Sequence, residues 1–269
     1  MEHGFAERYA DFEQWHWWFR GRRRIIESVL RRELAGYPSP RRILSVGCGP
    51  AEGIRWLVPF AGPSGKVVGL DIEPIHAQRL DNMEFLVGSL EQTPLADASF
   101  DVVLALDVLE HLDDDSASML EAVRLVKPGG LLLITVPALP SMWGGQDVVS
   151  EHRRRYTRRT LRRLFNRAQL SGYRISYFNS LLFPLAAGVR WSRRALGMAT
   201  RARSDFEDNQ PGLVNEMLAW VFGAESYLIH HTPLPIGVSL VATYRPPVTS
   251  ATVFVANQRT EINSGLPAS

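Results

Sequence analysis

Two short segments combine residue types and a spacing that suit the capture of a nucleoside. Ile43 to Gly53 reads ILSVGCGPAEG, an apolar run ending in Gly47-Cys48-Gly49, where small residues let the backbone come close to a ligand. A second apolar run, Val67-Val68-Gly69-Leu70, ends in Asp71, whose carboxylate can accept hydrogen bonds from both hydroxyls of a ribose. A dinucleotide site would show GxGxxG. Here Gly47, Gly49 and Gly53 give GxGxxxG, with Glu52 just before the last glycine. A carboxylate at the start of the following helix repels a pyrophosphate, so the pattern favours a nucleoside ligand without phosphates. Any tight strand-to-helix turn wants glycine, and Asp71 could simply cap a helix after Pro74. The acidic strand end one strand–helix–strand after the turn weighs against that plainer reading.

GCGPAEG and GLDIEP, followed by FDVVLALDVLEHLDD and LVKPGGLLLITVP, occur in order between Arg41 and Pro137. Together they resemble a class I S-adenosylmethionine-dependent methyltransferase, and the stretches EQWHWWFRGRRR and HRRRYTRRTLRRL resemble a bacterial subgroup often assigned to the type 11 or type 12 families. The family usually has an acidic residue at Ser45 and often a third glycine at Ala51. The resemblance implies S-adenosylmethionine as cofactor, with Gly47, Cys48 and Gly49 around it and Asp71 on its ribose. It also implies Ile72 on the adenine ring, with Ser89 and Leu90 beside it. Asp107 either contacts the donor or caps a turn.

Methyl transfer from a sulfonium is an in-line displacement, so the protein mainly positions two reactants and excludes water. A hydroxyl acceptor needs a proton acceptor, and an imidazole titrates near neutral pH. His111, in Leu109-Glu110-His111-Leu112, is one candidate, with a structural or donor-site role as its alternative. His152, in Glu151-His152-Arg153-Arg154-Arg155-Tyr156, is the preferred acid/base together with Tyr156. Its alternative is a loop histidine paired with Glu151. A carbon or nitrogen acceptor would need no base.

These residues require a scaffold of alternating strands and helices, hence an α/β fold. The expected architecture is a Rossmann-like, doubly wound, seven-stranded, mainly parallel sheet with a helical cap insertion. Strands are predicted at Ile43–Val46, Val67–Leu70, Glu84–Val87, Phe100–Leu106, Gly130–Thr135, Tyr173–Phe178 and Ile236–Tyr244. Helices are predicted at Arg22–Leu34, from Asp113-Asp114-Asp115 to near Val126, from Thr157 to about Leu170, and at Leu181–Met198 and Leu213–Phe222. The domain reading is a leader helix at 1–37, a methyltransferase domain at 38–245 with a cap at about 180–227, and a flexible tail at 246–269.

The chain has 269 residues and 45% apolar content, enough for one large α/β domain. Its net charge of +2 points to no particular partner. The single cysteine, Cys48, excludes an intrachain disulfide and a cysteine-rich metal set, and no metal ligands are assigned. The opening MEHGFAERYADFEQ lacks a secretory signal's apolar core, so a cytoplasmic location is expected.

Glu13 to Arg24 reads EQWHWWFRGRRR. It is either a lid over the donor, with Trp18 on the pocket and Arg20 or Arg22 on the donor carboxylate, or a helix packed on the sheet. The helix from Thr157 carries Arg158, Arg159, Arg162, Arg163 and Arg167 on one face. With the apolar stretch FNSLLFPLAAGVRWSRRALG, that face suits an anionic membrane surface and a lipid-linked acceptor. An ordinary cap helix or a dimer contact would serve as well. No nucleic-acid-binding module accompanies the arginines, and a monomer or homodimer is expected. The functional reading is methyl transfer to a small or lipid-linked acceptor, on oxygen in preference. Its rivals are a degenerate nucleoside-binding domain and an NAD-dependent oxidoreductase.

Overall fold

The computed structural model describes residues 11–49, 51–74, 82–197 and 204–248. Seven strands make one sheet: β1 (Arg42–Val46), β2 (Lys66–Asp71), β3 (Met83–Val87), β4 (Phe100–Leu106), β5 (Val126–Pro137), β6 (Arg174–Phe178) and β7 (Ser239–Tyr244). Their order is β3-β2-β1-β4-β5-β7-β6. β1 to β5 pair in parallel, while β7 runs antiparallel to both β5 and β6. This is the doubly wound, Rossmann-like sheet expected from the alternating pattern, and its last strand is reversed. The strand order turns back between β1 and β4, so a crevice opens there at their carboxyl ends.

Side-chain alternation sends Leu44, Val46, Leu70, Val103 and Ile134 to one face and Ile43, Val67, Leu104 and Leu133 to the other. Both faces are covered, which is why the strands read as nearly continuous apolar runs. Helices α1 (Trp17–Glu33), α2 (Ala51–Ile54) and α3 (Val58–Ala61) flank the early strands. They are followed by α4 (Asp115–Leu125), α5 (Gly145–Val149) and α6 (Arg158–Arg167). Helices α7 (Phe183–Ala195) and α8 (Leu213–Leu228) lie between β6 and β7. Asp114 caps α4 by accepting from Ser116 and Ala117 N–H groups, and Thr157 caps α6 through Thr160 N–H. Leu161, Leu164 and Phe165 bury the inner side of α6, whereas Arg159, Arg162, Arg163 and Arg167 are exposed.

Helix α1 starts at Trp17, five residues before the expected Arg22. Its N-cap is His16, whose Nδ1 accepts from Trp18 N–H at 3.2 Å. The aromatic run can be helical because distant residues cover it. Phe206 packs on Phe19 and Trp18, and Phe222 packs on Trp17. Ile25, Ile26 and Leu30 are fully buried, each contributing about 2 kcal/mol of burial free energy. Helix α1 lies along α8, and the bare backbone of Gly21 admits the Phe222 ring. Asn215 ties the two segments by accepting from Trp17 N–H and donating to the Trp15 carbonyl, both at 2.8 Å. The leader is therefore packed helix, and its first turn also faces the crevice.

Other boundaries differ for local reasons. Helix α8 continues past Phe222 to Leu228, because Gly223 makes room for the Arg24 side chain instead of ending the helix. Strand β5 begins at Val126, because Pro128-Gly129-Gly130 lies within an irregular stretch of the pairing with β4. Strand β7 begins at Ser239, not Ile236. The expected tail falls largely outside the described residues.

His16 is buried among the rings of Phe12, Trp15, Phe19 and Phe206. Burial lowers its pKa from 6.5 to about 4. The unfolded chain therefore binds the proton more readily between those values, and stability must fall as the pH drops through that window. From pH 7 to pH 5 the loss is on the order of 2 kcal/mol. Urea unfolding at both pH values should show a slope that includes this share, and His16→Gln should reduce the loss over that interval by about 2 kcal/mol. An unchanged slope in the variant would refute the assignment.

Candidate active site

At the donor end, β1 leads into Gly47 (φ 57°) and Gly49 (φ 59°), both in the left-handed region that glycine tolerates. A Cβ on Gly47 would lie 2.7 Å from Val108 Cγ2. Gly47 N–H donates to the Leu70 carbonyl at 2.8 Å, and Gly49 N–H donates to Asp71 Oδ2 at 2.8 Å. Asp71 Oδ1 accepts from Glu73 N–H at 3.2 Å. The carboxylate thus fixes the glycine turn to the end of β2 and still faces the cavity. Ile72 stands exposed beside it, with 72% of its surface accessible. Ser89, which caps Glu91 N–H at 3.2 Å, and the buried Leu90 line the same space.

Three expected donor contacts are placed differently. The Cys48 side chain is buried, with Sγ 3.6 Å from the Gly49 carbonyl, and does not line the cavity. Burial, with the nearby Asp71 charge, pushes its thiol up to about 12, so only its backbone can face a ligand. Arg22 pairs with Asp107, Nη2 to Oδ2 at 2.6 Å, with its guanidinium carbon 5.1 Å from the Trp18 ring centroid. It stands behind Asp107, while Trp18 and Asp107 line the cavity. Arg20 pairs with Glu216 on the surface. Asp107 itself sits at φ 57°, just past β4, with its N–H on the Thr135 carbonyl at 2.9 Å. A non-glycine residue in that conformation carries strain that tends to collect at functional sites.

The other end holds His111, His152 and Glu110. The two imidazoles meet edge to face, with centroids 4.8 Å apart. His152 has a partner that its plainer reading did not name. Its Nδ1 donates to Asp147 Oδ1 at 2.9 Å. Asp147 is fully buried and also accepts from Arg155 Nε and Gly144 N–H, each at 2.7 Å. Burial opposes its ionisation, but the His152 hydrogen bond and the Arg155 guanidinium hold its pKa at about 2. A carboxylate only accepts, so Nδ1 carries the proton and Nε2 presents a lone pair. That Nε2 lies 4.0 Å from Glu110 Oε1. Burial and the neighbouring His152 lower His111 to about 4, which leaves it neutral.

Tyr156 is corrected as a catalytic candidate. It is buried, does not line the cavity, and its hydroxyl lies 2.9 Å from Asp115 Oδ2 and 3.3 Å from the Leu109 carbonyl. Burial and the Asp115 charge raise its pKa further above the ordinary phenol value. It anchors the segment that carries Glu110 and His111.

One cavity of about 1280 Å³ joins the two ends. Its far wall is apolar, built from Leu182, Leu185 and Val189 of the α7 region with Val214 and Leu218 of α8. Arg153, Arg190 and Arg193 punctuate it.

The seven-strand order with its reversed β7, the glycine turn after β1 and Asp71 at the end of the neighbouring β2 are arranged as in the class I methyltransferase fold. Residues 44–134 match the family described as methyltransferase domain, and some of the relatives are named as S-adenosylmethionine-dependent. A protein of Mycolicibacterium smegmatis named "Probable S-adenosylmethionine-dependent methyltransferase" is 32% identical over 136 residues, covering 49% of this chain and 50% of that protein. The demethylmenaquinone methyltransferase of Geobacillus kaustophilus is 30% identical over 135 residues, 47% of this chain and 57% of that one. The chain spans about half the length of these curated relatives. Among solved structures, a chain from the complex between the Haloferax volcanii Trm112 methyltransferase activator and a methyltransferase superposes with TM-score 0.57. It is 21% identical and covers 91% of this chain and 96% of that chain. The structure named "putative sarcosine dimethylglycine methyltransferase from Galdieria sulphuraria" gives TM-score 0.51 at 17% identity, covering 81% of this chain and 83% of that chain. At these identities the likeness establishes the fold.

Sequence reasoning passed over Glu110, Asp147 and Arg155. Glu110 had a signal, an acidic residue directly before His111 just past a strand end. Asp147 and Arg155 had none, since a short helix and a buried arginine inside an arginine run look like ordinary surface.

Proposed function

We propose that this chain transfers the methyl group of S-adenosylmethionine to a hydroxyl of an apolar, lipid-linked acceptor. The observation that carries the reading is the single cavity that has Asp71 and the glycine turn at one end and the paired imidazoles at the other. Asp71 holds the ribose, with Ile72, Ser89 and Leu90 around the adenine. His152, aimed by Asp147, meets the acceptor hydroxyl. The oxygen lone pair forms the new bond to the methyl carbon, the carbon–sulfur pair returns to sulfur, and the hydroxyl proton leaves through the imidazole.

Asp71→Ala tests the donor end. It removes charge-assisted hydrogen bonds to the ribose and frees Gly49, so donor affinity should fall at least about tenfold. Calorimetry with S-adenosylmethionine and its demethylated product reads this directly. Unchanged affinity refutes the ribose assignment. Binding of NAD in place of both sulfur ligands favours an oxidoreductase, and donor binding without turnover on a broad acceptor panel favours a degenerate domain.

The lipid-linked acceptor is supported by the surface around the mouth. Leu185 and Trp191 on α7 and Leu213, Met217 and Trp220 on α8 are exposed apolar side chains, and Arg193 and Arg194 stand near them on α7. No described helix is long and apolar enough to cross a membrane. Co-sedimentation with anionic liposomes should capture the chain, and Trp220→Glu with Leu213→Glu should release it. No binding of the wild-type chain counts against membrane contact.

A further inference from the structure

Glu110 has no place in methyl transfer as described so far. It is fully buried, it lines the cavity, and neither carboxylate oxygen has a hydrogen-bond partner among the described residues. Buried carboxyl groups are normally paired or bound to metals. Around it stand His111 and His152, and one ligand atom from each of the three lies within 4.8 Å of the others. The surrounding structure presents these atoms. Asp147 takes Nδ1 of His152 and so directs Nε2 toward Glu110, as outer carboxylates do for metal-binding histidines. The two segments are locked together: Arg153 N–H donates to the Glu110 carbonyl and Arg153 Nε to the His111 carbonyl, both at 2.8 Å. Arg154 donates to the Leu112 carbonyl at 2.8 Å.

We propose that Glu110, His111 and His152 bind one first-row divalent cation, of the Mn²⁺ or Zn²⁺ type, at the acceptor end of the cavity. Two imidazoles and one carboxylate are a borderline donor set, and three protein ligands leave positions open toward the cavity. This rests on the methyl-transfer reading and sharpens it. The cation takes the acceptor oxygen into an open position and lowers its pKa, so the hydroxyl proton passes to water instead of to an imidazole. The oxygen pair then forms the bond to the methyl carbon, and the sulfonium becomes a neutral thioether. The acceptor class narrows to oxygen nucleophiles that can ligate a cation, such as a phenol, a catechol or a sugar hydroxyl.

The test uses the full chain, stripped with chelator and titrated with Mn²⁺, free ion being followed by paramagnetic resonance, and with Co²⁺, followed by visible absorption. One ion per chain is expected, with Co²⁺ bands typical of nitrogen ligation. Glu110→Gln, which keeps the side-chain shape, and His152→Ala should each weaken Mn²⁺ at least about tenfold. Donor calorimetry and melting temperature are read on the same samples, and folded variants should keep donor affinity. If Glu110→Gln fails to fold, His152→Ala and His111→Ala carry the comparison. No saturable binding at millimolar Mn²⁺, or equal affinity in the folded variants, overturns the site. Donor binding without cation binding leaves methyl transfer standing and removes this inference; cation binding without donor binding does the reverse.

Discussion

His152→Ala is expected to lower turnover by at least about 100-fold while donor affinity changes by less than about twofold. The asymmetry follows from position. His152 stands at the far end of the cavity from Asp71, and the donor pocket is built from the ends of β1, β2 and β4 with the first turn of α1. Removing the imidazole takes away the lone pair that meets the acceptor, whether it acts on the proton itself or through a cation. The effect should therefore appear in kcat and not in the donor Kd. His152→Gln can still donate to Asp147, yet it restores no basic nitrogen, so it should be as slow as the alanine variant. A turnover rate within a few-fold of wild type in either variant would remove His152 from the chemistry.

Asp147→Ala should cost about 3–5 kcal/mol of stability. The side chain is fully buried, and it balances Arg155, itself only 9% exposed, and is approached by Arg190 Nη1 at 3.4 Å. Deleting the carboxylate leaves a buried guanidinium without its counter-charge, which is far worse than losing an exposed pair. It also frees the Gly144 N–H and lets the His152 ring turn. For a domain of this size the melting temperature should drop by roughly 10 °C. Asp147→Asn keeps the shape but loses the charge and turns one acceptor oxygen into an NH2 donor, and should fall between wild type and Ala. A melting temperature unchanged in Asp147→Ala would mean that the Arg155 guanidinium finds another partner.

The sheet and the donor end were legible because they depend on local patterns. An apolar run ending in glycine or aspartate states both the strand and where it stops, and Asp114 and Thr157 announce their helices as caps. The acceptor end was legible only in part. His111 and His152 stand out as residue types, but what orients them is a tertiary fact. Asp147 reaches His152 from a short helix whose N-cap is a glycine with no side chain to announce it, and Tyr156 looks reactive until its hydroxyl is found on Asp115. The leader shows the same limit. Its tryptophans suit a lid or a helix equally well until Phe206 and Phe222, about two hundred residues away, decide the matter. The end of α8 shows it too, since the bare Gly223 just past Phe222 makes room for the bulk of Arg24.

The clasp between Trp15, Trp17 and Asn215 also orders events during synthesis. Every residue of the glycine turn, Asp71 and both imidazoles leaves the ribosome well before α8 does. Until Asn215 and Phe222 emerge, α1 has nothing to lie along, and Ile25, Ile26 and Leu30 are covered on one side only. A nascent chain ending before Leu213 would thus carry the donor residues and the histidines without the roof that closes over them. Competence to hold the donor should arrive late and abruptly, with the last third of the chain.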